Sequence, residues 1–189
     1  MCRTKSLLFT LIILLYCNVG LLKAQSTDSV IKIIRTKYQD ILSNLKTYDT
    51  VTVEIWDEST EGGQAIGYYK KDKKRELKLI KENLFGETGK VEYEYYFDNG
   101  QLIFVFEKRY KYNRPSYWDK EHMKETNDTE VFDPKKSVII ENRYYFSKEK
   151  LIRWLNNEKK EVDLSNEKNI FIGQELIVEA NKVRDLLKK

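Results

Sequence analysis

The chain has 189 residues with 34 basic and 30 acidic side chains, and its two cysteines, Cys2 and Cys17, sit at the N-terminal end. Three of the basic residues, Arg3, Lys5 and Lys23, belong to a leader; without its 24 residues, 165 remain, with 31 basic against 30 acidic and no cysteine. This excludes disulfides, thiol nucleophiles and Cys-ligated metal centres from the body of the chain, and the near-neutral charge argues against a nucleic-acid partner.

Arg3 and Lys5 precede an uncharged run from Ser6 to Leu22, followed by Lys23 and Ala24. A positive start, a short apolar stretch and a small residue before a polar chain describe a secretory signal peptide. Cleavage is expected after Ala24, so that the mature protein starts at Gln25. Leu22 is bulky for the third position before the cut, and an uncleaved anchor is the alternative, since the run approaches the lower length limit of a membrane helix. Cys17 follows Tyr16 rather than a small residue, against a lipoprotein signal. The expected location is periplasmic or extracellular, with membrane contact only through the leader before cleavage.

Residues 25–189 read as one domain, because the only prolines are Pro115 and Pro134 and no Gly/Ser/Pro-rich linker divides them. Of 13 Tyr, 8 Phe and 3 Trp, all but Tyr16 and Phe9 lie beyond the leader. They supply a core for a domain of a size that buries roughly two-thirds of its unfolded surface.

The mature chain opens with a helix capped at Thr27 or Asp28, with Val30, Ile34, Tyr38, Ile41, Leu45 and Tyr48 at spacings of three and four. At Thr50 the period switches to two, and Val51, Val53 and Ile55 mark a half-buried strand. A turn at Gly62–Gly63 leads to a strand over 65–70. The charged run Lys70–Arg75 makes the next turn, Leu77 and Leu79 mark a third strand, and Gly86 and Gly89 bound another turn.

Between Val91 and Tyr112 lies a hairpin whose Asn99-Gly100 pair suits a type I′ turn, in which both central residues need positive φ. An unbroken ladder then sets Phe97 opposite Leu102, Tyr95 opposite Phe104, Tyr93 opposite Phe106 and Glu92 opposite Glu107. Tyr95-Tyr96-Phe97, four residues, then Leu102-Ile103 recurs as Tyr144-Tyr145-Phe146, four residues, then Leu151-Ile152, and Tyr68-Tyr69 reads as an eroded third copy. As a repeat, it makes 151–155 a strand; a helix capped at Ser147 is the alternative. The strand–turn–strand unit resembles MORN-like repeats, a likeness confined to these segments that assigns no family. Residues 113–136 read as irregular and polar. A closing helix is expected over 167–187, with the stripe Phe171, Gln174, Ile177, Ala180, Val183 and Leu187 interrupted by the helix-weakening Gly173.

His122, the one histidine, has no Gly-x-Ser-x-Gly nearby and reads as a surface residue. Asp119, Glu121, His122, Glu125, Asp128, Glu130 and Asp133 concentrate ligand atoms, but they lack the bend glycine of a calcium loop and have Lys120 and Lys124 among them. Asn127-Asp128-Thr129 fits a glycosylation acceptor. The basic cluster at Lys70–Arg75 reads as a solvated turn that discourages edge pairing. Glu92 and Glu107, if they face each other, could share a proton as an acid/base couple. Tyr110, Tyr112, Arg114, Tyr117, Trp118 and Asp119 interleave aromatic, cationic and polar groups at a strand end, as a stacking surface for a glycan or peptide would.

The expectation is an α+β domain: a largely antiparallel sheet of six or seven strands from Thr50 to about Leu155, its apolar face covered by the two terminal helices. For function it is an exported, non-enzymatic binding module for a glycan, peptide or envelope protein, with no cofactor or metal and its contact surface at 110–119. The alternatives are a carboxylate-based hydrolase on Glu92 and Glu107 and a structural envelope component that pairs through a sheet edge.

Overall fold

Consecutive buried residues recur in the middle of four strands: Leu79-Ile80, Tyr95-Tyr96, Phe104-Val105 and Tyr144-Tyr145. Neighbouring side chains on a strand point to opposite faces, so this sheet is dry on both sides. The computed structural model describes residues 27–56 and 59–188; the leader and its cleavage after Ala24 lie outside the described residues. Helix α1 (residues 27–43) is followed by β1 (Asp49–Ile55), β2 (Gly63–Tyr69), β3 (Leu77–Gly86), β4 (Gly89–Asp98) and β5 (Gln101–Lys111). The short α2 (Lys120–Glu125), β6 (Val138–Ser147), β7 (Lys150–Leu155) and α3 (Glu167–Leu186) complete the chain. The seven strands form one antiparallel meander in sequence order, which is the expected α+β class.

The helices lie on opposite faces, not together on one. Leu79, Tyr96, Phe104 and Tyr145 meet Ile31, Ile34 and Ile41 of α1. Ile80, Tyr95, Val105 and Tyr144 meet Leu176, Ala180 and Val183 of α3. Each full burial of a large side chain stabilises by roughly 1.5–3 kcal/mol, so the doubled residues tie one sheet to two helices. On the α1 side the rings of Tyr38 and Tyr96 meet edge to face at 4.9 Å. Thr27 and Asp28 are already helical, so neither is the cap; Asp28 instead accepts a hydrogen bond from Arg153 of β7 at 2.7 Å.

The buried line of α3 is Gly173, Leu176, Ala180 and Val183, continued by Leu187. The expected stripe holds from Ala180 onward and fails before it, where Phe171 is 57% exposed. Gly173 explains the difference. A Cβ there would stand 2.8 Å from Leu151 Cβ, so the helix makes its close approach to the sheet through the glycine rather than through its largest apolar residues.

The β4–β5 turn has Asn99 at φ 49° and Gly100 at φ 75°, as type I′ requires, and Phe97 faces Leu102. Ile103 is then an extra residue: beyond it Tyr96 faces Phe104, Tyr95 faces Val105 and Tyr93 faces Glu107. The expected ladder is therefore shifted by one, because the expectation carried no bulge. The same irregularity lies between Tyr145 and Phe146, opposite Ile152, and between Tyr68 and Tyr69, opposite Lys78. The recurrent segments are thus structurally equivalent, each a hairpin end with a bulge that adds local twist, and 151–155 is strand rather than helix. In the second copy the turn positions are Lys148 (φ 50°) and Glu149 (φ 57°), conformations that cost most side chains roughly 1 kcal/mol. Replacing the pair by Asn-Gly, as in the first copy, is expected to raise stability by about 1 kcal/mol in urea unfolding.

Candidate functional site

Next to the dry row Ile80–Tyr95–Val105–Tyr144, on the α3 side, the sheet carries a row of another character. Glu82 faces Tyr93, Tyr93 faces Glu107 and Glu107 faces Asn142, across β3 to β6. Glu82 is 0% exposed and Glu107 2%. A buried carboxylate is costly unless it is paired and hydrogen-bonded, and the two meet that demand differently.

Glu107 is fully engaged. Its Oε1 lies 2.5 Å from the Arg109 guanidinium, while Oε2 accepts from Asn142 Nδ2 at 2.8 Å and the Tyr144 hydroxyl at 3.0 Å. Arg109 also donates to the Tyr93 hydroxyl at 2.9 Å, and Trp154 Nε1 donates to Asn142 Oδ1 at 3.0 Å. Burial, reinforced by the Glu107 charge, raises the Tyr93 and Tyr144 hydroxyls well above the ordinary tyrosine range, so both stay protonated.

Among the described residues Glu82 has one hydrogen-bond partner, the Tyr95 hydroxyl, which donates to Oε2 at 2.9 Å, and its buried Oε1 has none. Burial pushes its pKa up to about 7, against the pull of the Tyr95 hydrogen bond and with help from the Glu179 charge on α3. Glu179 is itself raised, by burial and then by Glu175, and its Oε1 is also buried without a hydrogen-bond partner among the described residues.

Between this row and α3 lies a cavity of about 440 Å³, within the range that small-molecule sites occupy. Tyr93, Glu107, Arg109, Asn142, Tyr144 and Trp154 line it from the sheet, and Ile172, Glu175, Leu176 and Glu179 from the helix. A more open trough of about 760 Å³ continues over Leu84, Val91 and Ile140 on the same face, sharing Tyr93 and Arg109. On the other face a cavity of about 310 Å³ beside α1 is lined by Tyr38, Phe106 and Arg143 and has no carboxylate in its wall.

Of the six residues expected to form a platform, Tyr117 and Trp118 stand together with ring centroids 6.1 Å apart, and the other four have partners of their own. Tyr110 donates to Glu92 at 2.9 Å with Lys90 over its ring, and Tyr112 packs against Phe132 with tilted rings, centroids 5.0 Å apart. Arg114 makes a two-point pair with Asp128, holding that carboxyl far below the usual range. Asp119 caps α2 and accepts from its backbone, and its oxygen also lies 2.9 Å from His122 Nδ1. Trp118 is half-buried, its enclosed Nε1 without a hydrogen-bond partner among the described residues, leaving Tyr117 as the exposed aromatic of the group, at 49%. Glu130 is likewise engaged, by Asn113 and Lys136. In the basic turn, Arg75 stacks on Tyr69.

Glu92 and Glu107 do not face each other. With the bulge at Ile103, Glu92 stands opposite Lys108 and Glu107 opposite Tyr93, which puts the two carboxylates on opposite faces of the sheet. Although burial opposes it, hydrogen bonds from Lys90 and Tyr110 lower the Glu92 carboxyl, the reverse of what a shared proton would do. Sequence reading missed Glu82, Asn142, Trp154 and Glu179. For Glu82 a sign was present: a charged residue two positions from Ile80 and two from Leu84, in the alternation that should be apolar. No protein-family model, curated protein or solved structure matches the chain, so its own geometry carries the functional argument.

Proposed function

We propose that the protein is an exported, non-enzymatic binding module whose ligand enters the cavity between α3 and the Glu82–Tyr93–Glu107–Asn142 row. The observation that carries the reading is the polar row itself. A sheet face needing only to be covered would continue the apolar pattern of Ile80, Tyr95 and Val105. Here two carboxylates and an amide interrupt it, and one of the carboxylates, Glu107, lines an open cavity of ligand size together with the Asn142 amide. Such a network is costly to bury and fixes the orientation of a bound polar group. Export is supported by the leader pattern, Arg3 and Lys5 before the uncharged run from Ser6 to Leu22. Among the described residues no helix is long and apolar enough to cross a membrane.

The test is a fragment titration of the ¹⁵N-labelled protein with small amines, diols, amides and carboxylic acids. The largest shifts are expected at the Trp154 indole N–H and the Asn142 side-chain amide. If they fall instead on Tyr117 and the Trp118 indole, the contact surface returns to residues 110–119.

A further inference from the structure

We infer that the ligand taken up beneath α3 presents an organic ammonium group to the cavity, an inference that rests on the binding reading above. The charges around the space do not balance. Glu107 is neutralised by Arg109 at 2.5 Å, and that guanidinium is further committed to the Tyr93 hydroxyl. Glu175 and Glu179 remain, one helical turn apart on the cavity side of α3, and neither has an ion pair among the described residues. Like charges at this spacing destabilise a helix, and the Glu179 carboxyl is raised first by burial and then by the Glu175 charge. A cation between α3 and the sheet relieves both.

The opposite wall suits the same group. Tyr144 and Trp154 stand with ring centroids 5.0 Å apart beside Tyr93, and aromatic faces attract ammonium groups through the ring quadrupole. Ile172 and Leu176 provide apolar surface for the carbon chain behind the charge. A further sign is on the cavity wall itself: Glu179 keeps Oε1 enclosed with no hydrogen-bond partner among the described residues, and its charge helps raise the carboxyl of Glu82, which is fully buried and does not line the space. An anionic ligand would meet three carboxylates, Glu107, Glu175 and Glu179, and a single guanidinium that is already engaged.

Three probes of similar length separate the possibilities: cadaverine (cationic), 1-pentanol (neutral) and glutarate (anionic), each titrated at pH 7.5 while the Trp154 indole resonance is followed. Cadaverine is expected to shift it saturably and glutarate to leave it unmoved. The double variant Glu175→Gln/Glu179→Gln, whose substitutions sit at the helix rim, is expected to weaken cadaverine at least tenfold with an unchanged circular-dichroism spectrum. Preference for pentanol or glutarate, or undiminished cadaverine affinity in the double variant, would overturn the cationic inference while leaving the cavity as the site. If no probe of any charge moves Trp154, the site reading falls with it.

Discussion

At pH 8 the Glu82→Gln variant is expected to be more stable than the parent protein by roughly 2 kcal/mol, a difference that reverses below about pH 4 to roughly 1 kcal/mol in the parent's favour. The Glu82 carboxyl titrates at about 7 in the folded protein against an ordinary value of 4.5, so the native state holds this proton more tightly than the unfolded chain. Below the unfolded value both states are protonated and nothing is lost. Between the two values the unfolded chain releases the proton while the folded one keeps it, and stability falls as pH rises. Above about 7 the full loss is in place, on the order of 3 kcal/mol from the size of the shift. Glutamine removes that slope and keeps an acceptor for the Tyr95 hydroxyl; its amide N–H groups, unpartnered in the same pocket, take back about 1 kcal/mol. Urea unfolding between pH 4 and pH 8 measures this directly. Identical slopes for the two proteins would mean that Glu82 is solvated or paired.

The second large effect concerns Gly173. Helix propensity alone predicts that Gly173→Ala stabilises α3 by about 1 kcal/mol. The packing predicts the reverse. The added Cβ meets Leu151 Cβ at 2.8 Å and Cδ2 at 3.0 Å, and overpacking of this kind costs roughly 1–3 kcal/mol. A net loss of about 1 kcal/mol is expected for alanine and about 3 kcal/mol for valine, whose branched methyls have no room at the same contact. Leu151→Ala should rescue only part of the loss, since it removes Cδ2 but leaves the Cβ that makes the closest approach. A gain in stability for Gly173→Ala would place the helix farther from the sheet than the 2.8 Å approach to Leu151 Cβ requires.

The order of elements was readable because each is announced locally: the α1 stripe by Ile34, Tyr38 and Ile41, the β4–β5 turn by Asn99-Gly100, the last helix by Ala180 and Val183. What escaped is what local pattern does not encode. The bulges at Ile103 and Ile152 leave the alternation of their strands intact, so an unbroken ladder looks equally good and misplaces Glu92 against Glu107. The two-faced burial was visible as doubled aromatics, but a search for one apolar face passes over Tyr95-Tyr96 and Tyr144-Tyr145 as mere tyrosine richness. The Gly173 contact cannot be inferred without Leu151, which lies on another element. The candidate site was the least legible part, because its members come from five strands and a helix. Only Glu107 had been singled out, in the wrong pairing, and the aromatic loop at 110–119 drew attention by composition while most of its groups are engaged by residues outside it, Glu92, Phe132, Asp128 and His122.

The claim on which the account stands is that the polar row beneath α3 holds a ligand. Crystals of the protein soaked in a mixture of small amines, diols and carboxylic acids test it most directly. The account predicts an organic molecule in the space between Trp154 and Glu179, within hydrogen-bonding reach of the Glu107–Asn142 network. A cavity holding water alone, with the soaked molecule seated against Tyr117 and Trp118, would contradict it.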